Sequence, residues 1–289
     1  MRIFVTGGTG FFGKSIADYI SAHEKSRWKE CEFVVLSRRV RTNEGNVSYV
    51  QGNICDFDFP NGHFDAIIHM ASPIQGALPE LEMEQEILSG TRRIISFAKY
   101  AKVERVLFTS SGAVYGSSSQ SKRETDICKP ENGYGAAKLA SERMFIEAGL
   151  DVKIARCFAF VGKRLPRRGC FAIGNFIQDC VENKTIIIKG DGTPLRSYLY
   201  ADDLAEWLLT ILDRGISGRP YNVGSEYSLS IRDLAVRVRS VLGTTNKIEI
   251  CTAPSSFPPS VYVPDVSRAK KELGLKVRVD IDNAIRLSL

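Results

Sequence analysis

Thr6-Gly7-Gly8-Thr9-Gly10-Phe11-Phe12-Gly13 follows directly on an apolar run, Arg2–Thr6, and leads into an amphipathic stretch, Gly13–His23. Few segments constrain a fold as strongly. Gly7 permits a tight turn after the strand, Gly10 lets backbone approach a pyrophosphate, and Gly13 lets a helix pack close to a sheet. The helix N-terminus, with Phe11 and Phe12 in its approach, then offers free N–H groups to phosphates. A turn rich in glycine for backbone reasons alone is the bland alternative. Its place straight after the first strand of an α/β pattern favours a dinucleotide site.

Downstream, β-branched runs alternate with amphipathic ones. Glu32–Ser37, Ser48–Gly52, Ala66–Met70, Val106–Ser110 and Val152–Phe158 read as strands, Glu80–Lys102 and Tyr134–Ala148 as helices. That alternation predicts an α/β fold, a Rossmann-like doubly wound parallel sheet. After Gly162 it breaks. A basic stretch punctuated by Pro and Gly leads to a helix over Gly174–Asn183, a strand over Thr185–Lys189, a helix from Ala201, a strand over Pro220–Val223, a helix over Ser230–Leu242 and one closing helix from Ser267. We therefore expect a cofactor domain over 1–162, to which 197–225 returns, and a smaller mixed C-terminal substrate domain over 163–289.

The chain of 289 residues, 44% hydrophobic and 25% charged, is long enough for a sizeable core. Its seven cysteines show no Cys-x-x-Cys, and its three histidines share no ligand spacing. Reduced thiols and no metal are the expectation. Met1 runs straight into a strand and no apolar run reaches membrane-spanning length, so we expect neither signal peptide nor membrane anchor, and a cytoplasmic location. The net charge of +6 suits an anionic ligand. Its basic residues form short clusters without interleaved aromatics, which argues against nucleic acid.

An acidic residue ending the second strand would accept from the ribose 2′-hydroxyl of NAD and repel a 2′-phosphate. This chain has Ser37-Arg38-Arg39 there. A hydroxyl and guanidinium forks suit a phosphate, so NADP(H) is favoured over NAD, a solvated arginine pair being the structural alternative.

Tyr134 and Lys138 are four residues apart, on one face of a helix. An ammonium beside a phenol favours the phenolate and so lowers the tyrosine pKa. With Ser111 upstream as a second hydroxyl, the set can move a proton on or off a substrate oxygen beside a nicotinamide ring. The pair by itself is unspecific. Together, Thr6–Gly13, Thr109-Ser110-Ser111-Gly112-Ala113-Val114-Tyr115-Gly116, Asn132-Gly133, Tyr134-Gly135-Ala136-Ala137-Lys138, the run from Gly190 to Leu204 and Pro264-Asp265-Val266-Ser267 resemble the extended short-chain dehydrogenase/reductases of the nucleotide-sugar epimerase/dehydratase group.

That resemblance spans essentially the whole chain. It implies Tyr134 as general acid/base, Lys138 on the nicotinamide ribose and Ser111 orienting the substrate oxygen. It also implies Asn53 and Ile54 near adenine, although an aspartate is more common at the first position. Ala71, Ser72 and Pro73 would line the pyrophosphate and nicotinamide side, and His69 reads as a packed strand-end residue. Gly112 would line the substrate, with Arg196 and Asn175 on its diphosphate. For these last two the alternatives are a surface arginine and a helix N-cap. Tyr115 reads as packing or substrate-lining. A second pyrophosphate arginine is absent where Ser255-Ser256-Phe257-Pro258 stands.

The family's 4,6-dehydratases need an acid pair after the serine, where Gly112-Ala113 stand; its decarboxylases carry a glutamate there, and its 3,5-epimerase/reductases a cysteine at position 112. The minimal Ser/Tyr/Lys set suffices for ketone reduction or 4-epimerisation. With Ser37-Arg38-Arg39, the reading is an NADPH-dependent 4-ketoreductase of an NDP-4-keto-6-deoxyhexose, supplying a deoxysugar for surface polysaccharide such as O-antigen. The alternatives are an NAD-dependent 4-epimerase and a non-catalytic NADP-binding regulator. A homodimer through helices 80–102 and 134–148 is implied by the same resemblance.

Overall fold

In the computed structural model, residues 1–73, 78–253 and 258–289 are described. The elements in chain order are β1 (Arg2–Thr6), α1 (Phe11–Ala22), β2 (Glu32–Ser37), β3 (Val47–Gln51), β4 (Ala66–His69), α2 (Glu80–Tyr100), β5 (Arg105–Ser111), α3 (Gly133–Glu147) and β6 (Asp151–Cys157). Then come β7 (Phe160–Val161), α4 (Ala172–Val181), β8 (Ile186–Ile188), β9 (Leu195–Ser197), β10 (Leu199–Tyr200), α5 (Ala201–Arg214), β11 (Pro220–Val223), β12 (Ser228–Ser230), α6 (Ile231–Val241), β13 (Ile248–Ile250), β14 (Val261–Tyr262), α7 (Ser267–Leu273) and α8 (Ile281–Arg286).

The chain divides into two compact units. The first holds Met1–Gly116, Cys128–Cys157 and Ala205–Tyr221, and the second Ser117–Ile127, Phe158–Leu204 and Asn222–Leu289. The changeover thus falls at Cys157, where β6 ends, and the chain returns to the first unit over a shorter stretch than 197–225.

The first unit is built on a seven-stranded sheet in the order β11-β6-β5-β4-β1-β2-β3. From β3 to β6 every neighbouring pair is parallel. Strand order reverses between β1 and β4, which makes their carboxyl ends the crevice where such a sheet takes a ligand. Its core is aromatic. Phe4 of β1 lies 5.4 Å from Phe57, 5.8 Å from Phe64 and 4.7 Å from Phe97 of α2, ring centre to ring centre. Phe97 also meets Phe57 and Phe59 at 5.8 and 5.3 Å. Helix α2 packs on α3, where the buried Thr91 and Ser141 hydroxyls share a hydrogen bond of 2.8 Å.

Besides β8, which lies within the expected strand Thr185–Lys189, the second unit contains short strands that the sequence pattern did not announce. Strands β12, β9 and β14 form one small sheet, β8 and β13 a parallel pair, and β7 and β10 another. The excursion Ser117–Ile127 is held here by backbone bonds, Val261 N–H to Ser118 C=O at 2.7 Å and Lys122 N–H to Val263 C=O at 3.0 Å. Buried Asn222 donates to the Lys122 and Asp265 carbonyls. The expected single closing helix is two, because Gly274 ends α7 in the left-handed conformation, φ 70°. Among the described residues no helix is long and apolar enough to cross a membrane, and no cluster of His, Cys, Asp or Glu is placed to hold a metal ion.

Phe97→Ala removes the ring that four others touch. It is expected to lower the unfolding free energy by about 3–5 kcal/mol, read as a lower urea midpoint at unchanged slope.

Candidate active site

At the end of β1 the Gly10 N–H bonds the Gly7 carbonyl at 3.0 Å and closes the turn. A side chain at Gly13 would meet Gly8 backbone at 2.2 Å, so only glycine lets α1 start this close to the loop. Gly10 caps α1 with no side-chain hydrogen bond, and the first turn, opened by half-buried Phe11 and Phe12, carries no acid. A helix N-terminus of this kind is suited to a phosphate. Beside it, the Ala71 N–H bonds Thr6 Oγ1 at 3.2 Å, and the Ser72 hydroxyl donates to the Pro73 carbonyl.

At the end of β2 the buried Ser37 hydroxyl donates to the Arg39 carbonyl at 2.8 Å and accepts from the Arg39 N–H. The serine thereby shapes the turn, and Arg38 and Arg39 stand exposed. After β3, exposed Asn53 accepts the Cys55 N–H through Oδ1 at 3.0 Å, an oxygen with a second lone pair to offer. Ile54 packs against Gly90 of α2.

Ser111 ends β5 and caps a single 3₁₀ turn, Gly112–Tyr115, accepting the Ala113 N–H at 3.1 Å and leaving its own O–H to donate. Helix α3 begins behind Asn132, whose Oδ1 accepts the Gly135 N–H at 2.8 Å. A Cβ on Gly135 would sit 2.6 Å from the Ala113 carbonyl, so this glycine lets the first turn of α3 lie against the turn after Ser111. Tyr134 is therefore brought beside the serine segment. One helical turn on, Lys138 is only 2% exposed. Its ammonium donates to the Thr109 carbonyl at 3.0 Å and lies 5.8 Å from the Tyr134 ring centre. Burial pulls its pKa down to about 8, partly offset by Cys157 and Glu142.

His69 ends β4 fully buried, with Nδ1 2.7 Å from Thr6 Oγ1 and its ring stacked on Phe108. Burial, and then Lys138, hold its pKa down to about 3. This neutral ring is packing.

Behind the trio lies a polar group that the sequence reading missed. Arg156 of β6 donates from Nε to Glu142 Oε1 at 3.0 Å and from Nη2 to Oε2 at 2.7 Å. Its Nη1 donates to the Tyr115 hydroxyl at 3.0 Å, and the Ser110 hydroxyl donates to Glu142. Tyr115 is thus tied to a guanidinium and 2% exposed. One signal was available: Tyr134, Lys138 and Glu142 recur every four residues, a single stripe of α3.

The second unit holds the other two expected residues. Asn175 lies within α4, whose cap is Phe171, so it is no N-cap; its amide accepts from Gly169 N–H and donates to Gly169 C=O, lacing the preceding loop. Arg196 of β9 donates to the Leu195 carbonyl at 2.8 Å and lies over the Tyr262 ring, and burial lowers its pKa. Residues 255–257, where the second arginine was sought, lie outside the described residues.

His69 generates a pH prediction. Its folded pKa is about 3 against 6.5 unfolded, so only the unfolded chain takes up a proton between these values. Stability is whole above pH 6.5 and falls below it, by about 1.4 kcal/mol per unit. Urea unfolding at about pH 7 and about pH 5 should differ by about 2 kcal/mol from this group. His69→Asn should lose most of that difference.

Known proteins resemble this chain throughout. dTDP-D-glucose 4,6-dehydratase of Dictyostelium discoideum is 26% identical over 275 residues, 83% of this chain, and the chain spans 62% of that relative's length. UDP-glucuronic acid decarboxylase 6 of Arabidopsis thaliana is 25% identical over 307 positions, covering 99% of this chain and 87% of the relative. UDP-glucuronic acid 4-epimerase from Bacillus cereus, in complex with UDP-glucuronic acid and NAD, shares the fold at a TM-score of 0.85 and 20% identity, over 100% of this chain and 98% of that one. The NAD dependent epimerase/dehydratase family matches residues 3–224, more than half the chain and every residue from the glycine turn to Lys138, and the chain belongs to that family.

Proposed function

We propose that this protein is an enzyme that uses NADPH to reduce the C4 ketone of a nucleotide-linked 4-keto-6-deoxyhexose. The observation that carries the reading is the turn after Ser111. Gly112 and Ala113 occupy it, and neither side chain can transfer a proton, as the elimination of water by a dehydratase requires. Ser111, Tyr134 and Lys138 remain, and they suffice for one proton transfer at a carbonyl oxygen.

The residues present fit a dinucleotide: the uncapped start of α1 and the tight contact at Gly13 form a cradle for its phosphates. When bound, the dinucleotide supplies or accepts a hydride at its nicotinamide ring. Tyr134 gives its phenolic proton to the substrate oxygen, Ser111 donates a hydrogen bond to the same atom, and Lys138 holds the ribose and stabilises the phenolate left behind. Arg38 and Arg39 take the 2′-phosphate, while Asn53 and Ile54 stand at adenine. Arg196 and Asn175 bind the substrate diphosphate. Arg196, stripped of part of its hydration, suits an anion that bonds both edges of a guanidinium; for Asn175 the self-satisfied amide leaves less to offer.

A 4-epimerase is the second reading. It is favoured by the minimal Ser/Tyr/Lys set and by the B. cereus 4-epimerase, whose structure holds NAD. A non-catalytic NADP-binding regulator has no need of the Tyr134–Lys138 pair. We take the enzyme to act in the cytoplasm in deoxysugar supply for surface polysaccharide. A homodimer through α2 and α3 completes the proposal, supported by Leu81 and Ile146, exposed apolar residues on those helices.

Loss of NADPH absorbance with dTDP-4-keto-6-deoxyglucose tests the reading. Turnover is expected, and Tyr134→Phe should reduce kcat by about 10²-fold or more. Failure with every NDP-4-keto-6-deoxyhexose overturns it, and interconversion of UDP-hexoses without net NADPH consumption establishes the epimerase instead.

Cofactor choice is tested separately. The double variant Arg38→Ala/Arg39→Ala should raise the KM for NADPH about 10-fold or more and leave that for NADH nearly unchanged. Equal effects on both would remove the assignment.

A further inference from the structure

Glu142 poses an electrostatic problem that the reaction does not need. It lies one helical turn beyond Lys138 and two beyond Tyr134 on the same stripe of α3, and its side chain is 5% exposed. A bare carboxylate there would draw the Lys138 ammonium and oppose a negative charge on Tyr134.

Arg156 answers it. Ser110 and Arg156 are register partners on β5 and β6, so they share a face of the sheet. From that face Arg156 binds both oxygens of Glu142, Ser110 bonds one of them, and the third guanidinium nitrogen holds the Tyr115 hydroxyl. We propose that Arg156 is a positioning residue for the Tyr134–Lys138 pair: it neutralises Glu142, leaving the lysine charge to the phenol, and it anchors the turn that carries Ser111. This rests on Tyr134 as the acid/base.

The remaining neighbours leave Glu142 as the charge to be balanced. Lys138 faces Tyr134 and Glu142 on its own helix, neutral His69 on β4, the Thr109 carbonyl of β5, and on β6 the buried Cys157 thiol, pushed up to about 12. Arg156 and Glu142 face Ser110, Tyr115 and Cys128, the last with a thiol that burial raises. Among these described groups Glu142 alone is a carboxylate.

The test follows tyrosinate absorbance on raising pH, as the difference between each protein and its Tyr134→Phe counterpart, without substrate or cofactor. It reports the Tyr134 pKa whether or not the protein reduces any sugar, so its failure is distinct from failure of the proposed reaction. Glu142→Gln should lower that pKa by about one unit and Arg156→Met should raise it by about one unit. The double variant Glu142→Gln/Arg156→Met should return to within about 0.3 unit of wild type, a reversal that loosened packing does not produce. Arg156→Lys keeps the charge and should leave the titration in place. Where a single variant unfolds, folding of the charge-balanced double supports the proposal. Shifts of the two folded singles in the same direction, no shift in either, or a shift of about one unit in Arg156→Lys overturns it.

Discussion

The arrangement of the site depends on one buried ammonium. Lys138 sits almost without solvent, and its hydrogen bond goes to a main-chain carbonyl, that of Thr109, not to a carboxylate. A buried charge without a counter-ion in contact is costly, and its pKa falls accordingly. A cation in that condition gains most from an anion beside it, and the phenol ring of Tyr134 is centred 5.8 Å away. The bond to Thr109 also ties the first turns of α3 to the end of β5, where Ser111 begins its own turn. One interaction thereby fixes where the ammonium sits, between the end of β5 and the Tyr134 ring.

Around that ammonium the ionisable neighbours are quieted in different ways. His69 and Cys157 are kept neutral by burial. Glu142 is held by Arg156 with two nitrogens, a geometry a lysine could not reproduce. The result is a buried polar group between β5, β6 and α3.

The relatives are named for dehydration, decarboxylation and 4-epimerisation. A shared scaffold with different chemistries is natural for a family of this kind. One scaffold can host several chemistries because the reaction is decided by side chains grafted on it, not by the fold. In this chain Gly112 and Ala113 open the turn after Ser111, with the Ala113 carbonyl close against Gly135 of α3.

The local pattern of the chain determined a good deal. The glycine spacing in residues 6–13, the alternation of apolar runs and the Tyr134–Lys138 interval are short-range signals, and strands β1 to β6 appear within a residue or two of where periodicity put them. The asparagine weighed as a helix cap, Asn175, lies inside α4, while the cap of α3 is Asn132, which the pattern had not marked as one. Other features arise from residues far apart in the chain. The excursion at 117–127 joins the second unit through bonds to residues near 222 and 261, and two- and three-residue strands such as β7 and β14 are too short to show a period. Ser110, Glu142 and Arg156 are individually ordinary in sequence. Only the register of β5 on β6, and the packing of α3 across both, brings a serine, a carboxylate and a guanidinium into one buried group, because burial and partnership are properties of the folded neighbourhood and not of the residues that enter it.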